Sequence, residues 1–128
     1  MRYLTILLIA LLSSCSSSKE LQKEPLLYFG KTACLGKCPV YDVYVFEDGK
    51  VEYEGIKNVY KRGKHSYQLS VEELKKLKEE LSQINTTKVE KLKRDIPNTI
   101  IRFNGKNLKV QDTESIKDVE KILQRVFS

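Results

Sequence analysis

The sequence predicts an α+β domain: an antiparallel sheet of about five or six strands with two amphipathic helices on one face, in the order βββ(β)αββα. Three observations carry this. Apolar and polar residues alternate with period two between Val40 and Gly55 and again between Thr99 and Val110. The dipeptides Asp48-Gly49 and Asn104-Gly105, each set between such runs, are hairpin signals. Two later stretches place apolar residues at helical spacing, one closing each half of the chain.

Leu26 to Gly30 ("LLYFG") is a short apolar run ending in glycine and is the first expected strand. In the next, Tyr41, Val43 and Val45 point one way and Asp42, Tyr44 and Phe46 the other. Both faces are largely apolar, as in a central strand. Asp48-Gly49 supplies a turn, expected as type I′ because glycine tolerates its positive φ. Val51, Tyr53 and Gly55 then alternate with Glu52 and Glu54, a half-buried strand with its glutamates in water. Residues 56–64 read as a loop or irregular edge, and His65, Tyr67 and Leu69 as a fourth strand.

Ser70-Val71-Glu72-Glu73 has the form of a capping box, in which hydroxyl and carboxylate satisfy each other's backbone N–H groups. The helix it opens carries Val71, Leu74, Leu77, Leu81 and Ile84 on one stripe. Asn85 and two threonines favour a break, and Pro97 ends the irregular stretch. Thr99, Ile101 and Phe103, then Leu108 and Val110, form the last hairpin. Thr113 or Ser115 is the expected cap of a final helix in which Ile116, Val119, Ile122, Leu123 and Val126 repeat at helical spacing.

The chain has 128 residues, within the range of one domain. Met1, Arg2 and Tyr3 precede Leu4 to Leu12 ("LTILLIALL"), an apolar stretch of nine. A bilayer span needs about 20 residues, so this is expected to be a signal peptide, residues 1–14. "LSSC", Leu12 to Cys15, resembles a bacterial lipobox, which implies lipidation of Cys15 and cleavage just before it. Several acyl chains, at about 0.8 kcal/mol per buried methylene, anchor durably. Residues 15–25 are then a polar, lipid-anchored tether, and 26–128 the single α+β domain. Cleavage leaves 22 basic against 17 acidic side chains. The lysines are interleaved with glutamates as on a solvated face, and no nucleic-acid partner is expected.

If a lipid takes Cys15, the exported domain keeps Cys34 and Cys38, an even number in an oxidising compartment. They enclose Leu35, Gly36 and Lys37, and a structural disulfide is the leading expectation. Thiol-disulfide exchange stays open as the alternative, although its usual signature is Cys-x-x-Cys at a helix start, where the helix dipole lowers the thiol pKa. Metal binding needs three or four ligands, and beyond this pair the sequence offers only His65 as a soft one. A sole histidine also removes most routes to a Ser-His-Asp triad. Asp95 reads as a turn former. No catalytic residue, metal or cofactor is therefore expected. Tyr44, Phe46 and Tyr60, if exposed together, would make a contact surface, and Leu35 and Lys37 at the loop tip another.

The stretch "ACLGKCPVYDVYVFEDGKVEYEG" resembles a family of small bacterial envelope lipoproteins grouped as domain of unknown function 6438. The likeness rests on Cys34, Gly36, Cys38, Pro39 and Tyr41, then Asp48, Gly49, Val51, Tyr53 and Gly55, with Gly63 and the stretch from Asp95 to Pro97. It implies an envelope location with the outer membrane as the expected destination, and it implies no activity. The functional expectation is a lipid-anchored, non-enzymatic module that binds an envelope protein or glycan.

Overall fold

The computed structural model describes residues 23–88 and 90–128. The expected signal peptide, the lipidation site at Cys15 and most of the tether lie outside the described residues. Six strands form one antiparallel sheet: β1 (Leu27–Lys31), β2 (Val40–Val45), β3 (Lys50–Lys57), β4 (Gly63–Gln68), β5 (Thr99–Phe103) and β6 (Lys106–Val110). Helix α1 (Val71–Gln83) follows β4, and a 3₁₀ turn (Glu114–Ile116) leads into α2 (Lys117–Phe127). The spatial order is β4-β3-β2-β1-β5-β6. β2 is an interior strand, as its two apolar faces require, and β4 is an edge.

One sheet face carries Leu27, Phe29, Tyr41, Val43, Val45, Val51, Tyr53, Ile101 and Phe103, all buried. They form one core with Leu77 and Leu81 of α1 and Val119, Ile122 and Leu123 of α2, so both helices cover that face. The other face is open, which an antiparallel sheet tolerates.

Several local expectations are corrected. The turn after β2 is not type I′: only Gly49 has positive φ, and Phe46 and Lys50 are bonded across a three-residue loop. That is the pattern of a type I turn closed by a left-handed glycine. The Asp48 carboxylate accepts from the Lys50 N–H at 3.1 Å. Asn104-Gly105 is the two-residue turn with both φ positive.

The capping box at Ser70 and Glu73 forms in full. Val71, however, is exposed. It lies about 100° around the helix from the centre of the Leu77–Leu81 stripe, because each residue advances about that angle. Neither Thr113 nor Ser115 caps the last helix; the Asp112 carboxylate accepts from the Glu114 N–H instead, at 3.0 Å. Among the described residues, the stretch between α1 and β5 contains no helix. It is held by Gln111, whose amide bonds both the N–H and the carbonyl of Lys93, and by Glu90, which accepts from the N–H groups of Gln111 and Asp112.

Candidate functional site

Lys31, Tyr41, Gly55 and Gly63 lie in one transverse row across β1, β2, β3 and β4, so the β1–β2 and β3–β4 connections emerge at the same end of the sheet. The β1–β2 connection is closed by the Cys34–Cys38 disulfide, with Cα atoms 5.7 Å apart. Leu35, Gly36 and Lys37 form the exposed tip of this clasp. The expected disulfide is present.

The β3–β4 connection folds back over the sheet. The Lys61 carbonyl rests against Gly55, where a side chain would collide with it, and the Tyr53 hydroxyl donates to that carbonyl at 3.2 Å. Val59 packs against the core. Asn58, with positive φ, donates from its side chain to the Cys38 carbonyl at 3.1 Å and so joins this loop to the clasp.

Between the two loops and the end of α2 opens a cleft of about 430 Å³. Its floor is aromatic: the Phe127 ring stacks on Tyr53 at 4.7 Å and meets Tyr41 edge-on at 5.5 Å. Lys31 and Glu120 also line it, paired at 2.8 Å and largely buried. Burial, with the Glu120 charge as a second cause, raises the Tyr41 hydroxyl well above the ordinary tyrosine pKa, against a smaller opposing effect of a Gln124 hydrogen bond. Burial likewise raises Tyr53. The cleft therefore presents neutral hydroxyls, a closed ion pair and apolar rings.

Within the domain family described as a domain of unknown function, DUF6438, residues 25–128 of this chain find their match. The chain belongs to that family. None of the curated proteins matches it. In this DUF6438 domain, residues 33–55 supply the clasp, the cleft-lining Tyr41 and Tyr53, and the glycine under the folded-back loop.

The residues expected to make contact surfaces separate. Leu35, Lys37 and Tyr60 stand at the clasp end, with Leu35 83% and Tyr60 100% exposed. Tyr44 lies on the open face beside Tyr28, ring centroids 5.2 Å apart. There the Tyr28 hydroxyl donates to Asp42 at 2.7 Å, and the Arg102 guanidinium sits 4.9 Å above the Tyr28 ring. Burial first, then the Asp42 hydrogen bond, raises the Tyr28 pKa. Phe46 follows β2 at the opposite end from Tyr60. His65 pairs with Tyr53 across the strands, and its Nε2 lies 2.9 Å from the Arg62 carbonyl. Among the described residues no three His, Cys, Asp or Glu side chains gather as a metal-binding group.

Sequence reasoning missed Asn58, Phe127 and the Lys31–Glu120 pair. Asn58 carried a signal, since asparagine is the residue most at home in a left-handed conformation after glycine. The other two depend on where α2 docks, which periodicity alone does not register.

Proposed function

We propose that this domain is a lipid-anchored, non-catalytic binding module of the bacterial cell envelope, carried on the outer membrane by Cys15 and engaging an envelope partner through its clasp-end loops. The observation that carries the reading is the rigid display of apolar side chains. Leu35 and Tyr60 project almost fully into solvent, yet their loops are fixed by a disulfide and by the Asn58–Cys38 bond. An ordered surface gives up less conformational entropy when a partner binds. The sequence supports the anchor through the leader and "LSSC" at Leu12 to Cys15.

The test is capture from envelope extract with the lipidated protein, run beside Tyr60→Ala, together with palmitate labelling of the wild type and Cys15→Ala. The expected result is a partner that is retained by the wild type and lost with Tyr60→Ala, and a lipid label that disappears with Cys15→Ala. Normal labelling of Cys15→Ala would refute the anchor. Failure to recover a partner, with no effect of deletion under envelope stress, would refute the module.

One observation favours thiol-disulfide exchange as a second reading. The Gly36 N–H points at the Cys34 sulfur at 3.3 Å. A donor there favours a thiolate once the bond opens. A reduction potential above about −230 mV would favour this reading; resistance to glutathione would favour the staple.

A further inference from the structure

From Lys31 to Tyr41, and from Gly55 to Val71, the sequence contains no Asp or Glu, while it contains Lys31, Lys37, Lys57, Lys61, Arg62 and Lys64. Lys31 is neutralised by Glu120, and Lys64 faces Glu54 across the strands. Lys37, Lys57, Lys61 and Arg62 take part in none of the ion pairs among the described residues, which join Lys31 to Glu120, Lys50 to Glu52, Lys78 to Glu47 and Lys117 to Glu114. The Lys61 ammonium lies over the Tyr67 ring, and Arg62 donates to the Ile56 carbonyl, so neither is set against a carboxylate by these contacts. Exposed Leu35 and Tyr60 lie in these two loops, and exposed Ile56 lies at the end of β3 beside them. The clasp end thus combines uncompensated cations, exposed apolar groups and a cleft with an aromatic floor.

Each candidate occupant meets these features differently. A second copy would set cations against cations and is repelled. An anchor at Cys15 would join the domain at its other end. Leu27, where the domain begins, pairs with Val45 and Phe103 at the hairpin end, across a sheet whose strands are about 17–20 Å long. A flat array of lipid headgroups would also leave the cleft unfilled. A polypeptide meets all three features, because acidic side chains can face the loops while an apolar one fills the cleft.

We infer that the clasp end is a docking site for an acidic polypeptide segment bearing a bulky apolar anchor residue. Its carboxylates lie against Lys37, Lys57, Lys61 and Arg62. Its anchor enters between Asn58 and Phe127, onto Tyr53. The inference rests on the binding-module reading and names the chemistry of that module's partner.

The test pans random displayed peptides on the immobilised full chain and measures the binding of an enriched peptide in synthetic form. Enrichment is expected for sequences that combine Asp or Glu with Phe, Trp or Leu. Binding should weaken about 30-fold with Tyr60→Ala, the loss typical of an aromatic hot spot. It should also weaken with Lys57→Glu, and fall as salt is raised. Both side chains are exposed, so neither change threatens the fold. Enrichment of basic or neutral peptides, or binding indifferent to both substitutions, overturns the proposal. Displacement of the peptide by phosphatidylglycerol vesicles, lost with Lys57→Glu, overturns it in favour of a lipid surface. An envelope partner whose capture survives both substitutions overturns this site and leaves a binding module that engages its partner through another surface; no ligand from either source overturns both.

Discussion

A methyl group on Gly55 would collide with the Lys61 carbonyl oxygen and press on Val59 Cγ2 at 2.9 Å. The carbonyl is backbone, so the clash cannot be relieved by turning a side chain; the loop from Asn58 to Arg62 must lift. Gly55→Ala is expected to destabilise the domain by about 1–3 kcal/mol, the usual cost of overfilling a packed site. At this size that lowers Tm by about 4–8 °C for each kcal/mol. The control is Gly36→Ala, where the nearest atom is the Cys34 sulfur at 3.8 Å and Tm should hold. Calorimetry of the two variants decides it, and equal melting temperatures would mean that Gly55 does not set the loop. The sequence shows that Gly55 ends an alternating strand; that its bare Cα is the seat of a carbonyl six residues later follows only from how the loop folds back.

At the scale of elements, the clasp orders the segment entering β2 while the Asn58–Cys38 bond holds the neighbouring loop to it. Closing so short a ring constrains the unfolded chain by about 2 kcal/mol on the chain-entropy account. Cys34→Ser with Cys38→Ser should therefore lower stability by about 1–3 kcal/mol without unfolding the sheet. Denaturant titration against the oxidised wild type checks this, and coincident midpoints would count against the staple. The two hairpins show where local chemistry suffices. Asn104-Gly105 joins β5 to β6 through the turn its dipeptide favours, whereas Asp48-Gly49 carries the same signal and makes a longer one. Gly49 is held there by the rest of the fold: its carbonyl accepts from the Leu69 N–H, and the Gln68 side chain packs over it. The Ser70 cap was legible because its partner Glu73 lies three residues away. The Asp112 contact was not, because the segment from Gln111 to Asp112 is set by the Glu90 carboxylate, which reaches it from another loop and accepts from both N–H groups.

Over the whole molecule, the class and both helices followed from periodicity because one face of every element must reach one core. The strand order and the cleft did not, since β1 pairs with β5 across the entire β2–α1 segment, and the cleft needs Phe127 laid on Tyr53. The same packing buries hydroxyl-bearing rings whose protonation can be read as global stability. Burial holds the Tyr41 pKa above the unfolded value of about 10, and burial with the Asp42 bond does so for Tyr28. The folded state thus keeps protons that the unfolded chain releases. This contribution is complete below pH about 10 and is lost as pH rises beyond it, because stability falls wherever the unfolded state binds fewer protons. The slope is at most about 1.4 kcal/mol per pH unit for Tyr41. Urea midpoints should stay level from neutral pH to about 10 and then fall, and Tyr41→Phe, which has no proton to lose, should make that fall shallower. A Tyr41→Phe profile that drops in parallel with the wild type would show that the cleft floor is wet in solution and that the Tyr41 hydroxyl is not held from water by Phe127 and α2.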